Sequence, residues 1–184
     1  MIPLKQHAQV AAALEEHLAE RFDGVTVRIG DNIHYKGTNI VITCPAFAAW
    51  LPEQRFHHIV RAIPADFYER HLRQGVVWFE LAPGESPAAY MKMPRSEDIE
   101  ADEATIGHRL RAIDFYARLQ AALSARNAMP SADDFVVSRR LLAESGMDEV
   151  SVMKACLFLI RQGAYCDAQV LADIVPRMAV EQAR

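Results

Sequence analysis

Four histidines and one cysteine in the first half of the chain are the side chains whose chemistry could support a metal site or acid–base catalysis. They are His34, Cys44, His57, His58 and His71. Imidazole and thiolate groups bind zinc and redox metals, and a neutral imidazole is a competent base near pH 7. His57 and His58 are adjacent, so on a helix they point about 100° apart and cannot share one metal ion from the same face. The candidate metal ligands are therefore His34, His57, His71 and Cys44.

The spacing of these residues matches no recognised metal motif, so surface or boundary positions are the simpler interpretation. Cys44 follows a β-type run, and as a nucleophile it would need a base such as His57 nearby and a lowered pKa. Free cysteines in such positions are more often small buried hydrophobic residues. No catalytic residue is assigned, and we expect a protein that is not an enzyme.

A second set of residues could form a binding surface. Trp78 and Phe79 alternate along a predicted strand, so one of them faces away from the helices, where it could stack a base or anchor a protein. His57 and Arg61, four residues apart, share a helix face that could bind an anion. The alternative is that the C-terminal helices cover the open face of the sheet. The candidate binding residues are Trp78, Tyr90, His58 and Arg61.

The elements that position these residues follow from hydrophobic periodicity. Apolar residues at a spacing of three and four predict a helix over residues 4–22, and the runs 25–29, 39–44 and 76–81 read as strands. Pro52 begins a helix whose inward face contains Phe56, Ile59, Val60 and Ile63, and a short helix follows Pro64. The predicted fold class is α+β: an open sheet of three to four strands with helices on one face, in the order αββααβ. The fourth strand would be Ala88 to Met93.

The composition of the chain changes after this sheet domain. We expect an α+β domain over residues 1–93, a solvated acidic linker over residues 94–104 and a helical C-terminal domain over residues 105–184. The linker contains Glu97, Asp98, Glu100, Asp102 and Glu103, but it lacks the glycine spacing of a calcium loop.

The element order, together with local residues, resembles BolA-like proteins and class II KH domains over residues 5–82. The strand Ile40–Cys44 with Phe47, followed by Phe56, His57 and Val60, is similar to the BolA pattern of an apolar strand and a helix that opens with Arg-His. That resemblance implies an iron–sulfur cluster shared with a monothiol glutaredoxin through one loop ligand and one strand histidine. His34 fits the loop position, but Val76 or Val77 stands at the strand position.

The KH signature Gly-x-x-Gly is also absent, since the corresponding junction is residues 63–66, Ile-Pro-Ala-Asp. Neither family's binding function is therefore expected in full, and no cofactor is predicted; a metal or an iron–sulfur cluster stays an alternative.

Composition limits the classes of partner. The 184 residues carry 20 Lys+Arg against 24 Asp+Glu, a net charge of -4, so nucleic-acid binding lacks an obvious electrostatic source. No apolar run approaches the length of a membrane span, no signal peptide is evident, and three cysteines are not a disulfide framework, which favours the cytoplasm.

The function that fits these observations best is a non-enzymatic protein-interaction or adaptor module whose partner is another protein or a second copy in a homodimer. The alternatives are a small metal-binding protein or enzyme that uses the His/Cys cluster, and single-stranded nucleic-acid binding through the sheet face.

Overall fold

The computed structural model describes residues 2–32, 37–73, 75–125 and 134–177. The chain divides into two compact units, Met1–Met93 and Pro94–Arg184. The described part of the first unit contains three strands and several helices, whereas that of the second unit is helical. Among the described residues, no helix is long and apolar enough to cross a bilayer.

The first unit has the predicted α+β order αββααβ. Its elements are α1 (His7–Ala19), β1 (Thr26–Asn32), β2 (Gly37–Thr43), α2 (Pro52–Ala62), α3 (Ala65–Phe67) with a π-helical turn (Tyr68–Leu72), β3 (Val76–Leu81) and α4 (Pro87–Tyr90). Single 3-10 helices over Leu4–Gln6 and Pro45–Ala49 precede α1 and α2. The sheet order is β1-β2-β3, with β1 antiparallel and β3 parallel to the central strand β2.

One face of the sheet carries the hydrophobic core of this unit. Val27, Ile40 and Ile42 alternate inward along β1 and β2 and are buried against Leu14 of α1 and Ile59 of α2. Because successive strand residues point to opposite faces, the register places Trp78 on this helix-covered face. Both helices therefore cover the same side of the sheet, as the sequence pattern predicts.

Phe79 lies on the opposite face of the sheet, because it pairs with Val41, a neighbour of the inward-facing Ile40. The side chains of Phe79 and Val41 are half-buried, and Arg28 on the same face is exposed. Of the two alternating aromatic residues, Phe79 is thus the one that faces away from α1 and α2.

The expected fourth strand over Ala88–Met93 is wrong, because a short helix, α4, occupies its first half. The Ser86 hydroxyl accepts a hydrogen bond from the Ala89 amide at 3.1 Å, and Pro87 stands in the first turn. A serine cap followed by proline favours a helix start, and here this local signal outweighs the apolar run that follows.

The inward face of α2 also differs from the expectation. Arg55, His58 and Ile59 are buried, whereas the Phe56 side chain is 39% exposed. The helix is turned by about one residue, or about 100°, relative to the face predicted from its apolar residues. The reason is a set of hydrogen bonds made by the buried guanidinium of Arg55, described below.

The second unit consists of helices. They are a 3-10 helix (Ser96–Asp102), α5 (Glu103–Ala112), α6 (Phe115–Ala125), α7 (Val136–Glu144), α8 (Glu149–Arg161), α9 (Asp167–Gln169) and a π-helical turn (Val170–Ile174). Its buried residues include Leu110, Phe115, Leu142 and Leu157. A long-range cap begins α7, since the Asp167 carboxylate accepts hydrogen bonds from the Val137 and Ser138 amides.

Residues 94–104 differ from the expected solvated linker. Ile99 is 2% exposed, and three acidic side chains of this segment, Glu100, Asp102 and Glu103, pair with cations of α8. The Asp102 carboxylate lies 2.5 Å from the Lys154 ammonium, and Glu103 accepts a hydrogen bond from Arg161 at 2.9 Å. One apolar anchor and these ion pairs make the segment part of the second unit.

Candidate functional site

The structure does not gather the described members of the predicted metal-ligand set, Cys44, His57 and His71, into one site. His34 lies outside the described residues. Cys44 is fully buried at the end of β2, and its thiol lies 3.9 Å from the Asp23 carbonyl oxygen. Burial raises the pKa of this thiol above its ordinary value, although amide groups of the following turn oppose the rise. A thiol with a raised pKa holds its proton at neutral pH, which makes it a poor nucleophile.

His57 and His58 lie side by side on α2, with ring centroids 5.4 Å apart. His58 is buried against Trp50, whose ring centroid is 4.6 Å away. His57 is half-buried, and its pKa is lowered to about 4, first by burial and then by the positive charges of His58, Arg61 and Arg21. His57 is therefore a neutral imidazole at neutral pH.

His71 packs against Phe67, with ring centroids 5.0 Å apart. Across residues 2–32, 37–73, 75–125 and 134–177, no group of three or more His, Cys, Asp or Glu side chains could hold a metal ion. Cys44, His57 and His71 therefore do not form such a group with one another.

The predicted binding residues occupy different environments. Arg61 is exposed, and its guanidinium lies 3.5 Å from Nε2 of His57. Trp78 is half-buried and contacts Phe56 of α2 edge-to-face, with ring centroids 5.9 Å apart. Tyr90 is buried, and its ring lies 6.2 Å from that of Phe79. Of the four predicted residues, Trp78 and Arg61 therefore retain accessible surface, while His58 and Tyr90 belong to the interior.

Sequence reasoning missed a buried polar cluster beside β3. The side chain of Arg55 is 2% exposed, and its guanidinium donates to the Trp50 carbonyl at 2.9 Å, the Glu80 carbonyl at 2.7 Å and the Glu85 carboxylate at 2.6 Å. The Tyr90 hydroxyl donates to the buried Glu80 carboxylate. Three acceptors compensate the desolvation of the guanidinium, as a buried charge requires.

The cluster could have been suspected from one signal, the Arg55 position itself. It stands four residues before Ile59, on the same side of the helix, where an apolar residue is usual. Its acceptors Glu80 and Glu85 are 25 and 30 residues away, so periodicity alone cannot reveal them.

The backbone groups at the two edges of the sheet have different partners. At β1, the Glu15 carboxylate of α1 accepts a hydrogen bond from the Val27 amide at 2.7 Å. At β3, the Thr38 amide donates to Gly75 and the Cys44 amide donates to Leu81, so the backbone groups of alternate residues from 75 to 81 face β2. Those of Val76, Trp78 and Glu80 consequently face away from the sheet.

The Arg55 guanidinium donates a hydrogen bond to the outward carbonyl of Glu80. A strand added at this side would therefore meet the backbone of Val76 and Trp78, with the Phe56–Trp78 aromatic pair beside it. We call this surface the β3 edge, defined by Val76, Trp78 and Phe56. It is a template for strand addition because edge strands present a row of polar backbone groups.

No protein-family model matches this sequence, and neither a curated protein nor a solved structure shows significant similarity to it.

Proposed function

We propose that the first unit is a non-enzymatic protein-binding module that takes an extended segment of a partner onto the β3 edge. The observation that carries the proposal is the outward orientation of the Val76 and Trp78 backbone groups, fixed by the bonds that Gly75 and Leu81 accept from β2. Strand addition gains affinity from backbone hydrogen bonds and specificity from pockets for alternate side chains.

The aromatic pair beside this strand supports the same proposal. Phe56 is 39% exposed although it lies on α2 next to buried residues, and it contacts the half-buried Trp78. Aromatic side chains at the centre of an interface supply much of the binding energy. A partner strand that carries apolar residues at every second position would place one of them against this pair.

The contrast with β1 also supports the choice of edge. Glu15 already accepts the Val27 amide, so a strand added at β1 would have to displace this charged group. Charged side chains over an edge are a known device against strand addition. Along β3, the Arg55 guanidinium binds the outward carbonyl of Glu80, which lies beyond the β3 edge itself.

Selection of a displayed random-peptide library on the full chain tests the proposal. We expect enriched peptides with alternating apolar residues whose affinity falls by about tenfold or more for Val76→Pro and for Phe56→Ser, since one removes an outward amide and the other an aromatic anchor. Leu4→Ser, which changes a residue that is 71% exposed elsewhere in the unit, is the matched control and should bind as the wild type.

Self-association by sedimentation that is lost in Val76→Pro would identify a second copy as the source of the strand and would equally support the proposal. Far-UV circular dichroism confirms that each variant is folded, and Phe56→Ser keeps the test valid where the proline variant does not fold. The proposal is overturned by a monomer that enriches no peptide, or by peptides that bind both variants as well as the wild type.

A further inference from the structure

The second unit contains a cavity of about 200 Å³, open to solvent, at the start of α8. The end of the 3-10 helix contributes Asp102, α5 contributes Ile106 and Arg109, and α8 contributes Ser151 and Lys154, with Met147 just before it. This cavity is separate from the β3 edge in sequence and in chemistry, since it combines charged and apolar side chains around one space.

The charges around the cavity favour an anion. Lys154 and Asp102 neutralise each other, because their ammonium and carboxylate groups lie 2.5 Å apart. Arg109 is then the remaining charge of the lining. The nearby Asp148 does not line the cavity, and its carboxylate caps α8 by accepting the Ser151 amide at 2.7 Å. Its negative charge acts on Arg109 and offsets part of the guanidinium charge, so Arg109 suits a single negative charge better than a dianion.

The apolar part of the lining favours an organic ligand. Met147 is buried and Ile106 is half-buried, so both offer apolar surface beside the guanidinium. Sites for drug-sized ligands measure roughly 300–1,000 Å³, so this cavity suits a smaller molecule. An apolar body would displace water from Ile106 and Met147, while a carboxylate would bind the planar guanidinium through two parallel hydrogen bonds.

We infer that this cavity binds a small organic monocarboxylate, with its carboxylate on Arg109 and its apolar body against Ile106 and Met147. Inorganic phosphate has no apolar body to bury there and should bind more weakly than a carboxylate of the size of benzoate.

Titration of the full-length protein with benzoate, followed by two-dimensional NMR of its backbone amides, tests the inference. We expect saturable shifts at millimolar concentration that are confined to the cavity residues, and an affinity that falls by about fivefold or more in Arg109→Gln. Arg140→Gln, at an exposed arginine of α7 that pairs with Glu144, is the matched control and should leave the affinity unchanged.

Benzamide, a neutral molecule of the same shape, separates the carboxylate contribution from apolar binding. A benzamide affinity equal to that of benzoate would overturn the inference, as would benzoate binding that Arg109→Gln leaves unchanged. The absence of saturable shifts up to about 20 mM benzoate would also overturn it. Thr105→Trp, at an exposed residue of the rim, should block benzoate binding without changing the charge.

Discussion

The Arg55 guanidinium lies 2.6 Å from the Glu85 carboxylate although the two residues are 30 positions apart and the arginine side chain is 2% exposed. The same carboxylate accepts the Ala82 amide at 2.9 Å. One interaction therefore joins α2 to the turn after β3. It also sets which face of α2 is buried and leaves Phe56 at the surface.

Replacement of Arg55 by methionine should destabilise the first unit by about 3–5 kcal/mol, because two buried carbonyl groups and the partly buried Glu85 carboxylate lose their donor. Both tryptophans, Trp50 and Trp78, lie in this unit, so tryptophan fluorescence during urea unfolding reports its stability. The matched control is Arg73→Met, which breaks an exposed pair with Glu69 and should cost less than about 1 kcal/mol. Equal losses in the free energy of unfolding for the two variants would show that the buried Arg55 cluster stabilises the unit no more than an exposed ion pair does.

Two glycines of the sheet give a second prediction. A Cβ added at Gly37 would lie 3.0 Å from the Gly75 carbonyl oxygen, at the point where β2 and β3 begin to pair. A Cβ at Gly30 in β1 would meet nothing within 4 Å. Gly37→Ala should therefore lower the free energy of unfolding by about 1–3 kcal/mol, since backbone must shift, while Gly30→Ala should leave it nearly unchanged. Urea unfolding that ranks the two variants in the opposite order would contradict the described register.

His57 should make the first unit sensitive to acid. Its pKa falls from 6.5 to about 4 on folding, first because of burial and then because of neighbouring positive charges. The unfolded chain therefore binds a proton between these values that the folded chain does not. The stability that this group contributes is complete above pH 6.5 and is lost as the pH falls toward 4.

His57→Gln should consequently lose less stability than the wild type between pH 6.5 and pH 4 when unfolding is followed by tryptophan fluorescence. His108→Gln, at an exposed histidine of the second unit, is the control and should follow the wild-type pH profile. Identical slopes for wild type and His57→Gln would rule out the lowered pKa.

Asp167 gives a prediction for the second unit. Its carboxylate accepts the Val137 amide at 2.7 Å and the Ser138 amide at 3.0 Å, so Asp167→Ala should cost about 1–3 kcal/mol through the loss of the α7 cap. Asp173→Ala, at an exposed aspartate nearby in sequence, is the control. Far-UV circular dichroism during thermal unfolding compares the variants. Equal melting temperatures would mean that α7 does not depend on this cap.

The stability that Asp167 contributes depends on pH in the opposite direction to the stability that His57 contributes. Burial raises the pKa of the Asp167 carboxyl above its usual 3.8, and its hydrogen bonds to Ser138 and Val137 only limit the rise. A raised pKa contributes stability that is complete below 3.8 and is lost as the pH increases through the folded value. The stability gap between wild type and Asp167→Ala should therefore narrow as the pH rises from 3.8, and a gap that widens would contradict the raised pKa.

The order αββααβ could be predicted because its signals are local. Alternation in Val25, Val27 and Ile29, and the proline at position 52, depend on neighbours within a few residues. The buried face of α2 and the cap of α7 could not be predicted, since Arg55 and Asp167 find their partners about 30 residues away. The β3 edge could not be predicted for the same reason. Which backbone groups of β3 point away from the sheet depends on its pairing with β2, a strand more than 30 residues earlier. The resemblance to BolA-like and class II KH domains stays a prediction.

The Glu15 carboxylate, bound to the Val27 amide, places a negative charge on the β1 side of the sheet. If strands add at β3 alone, as we propose, the sheet has no second open side on which to grow. Two copies joined through β3 would then form a six-stranded sheet with β1 at each end, where the Glu15 carboxylates would oppose growth into fibres.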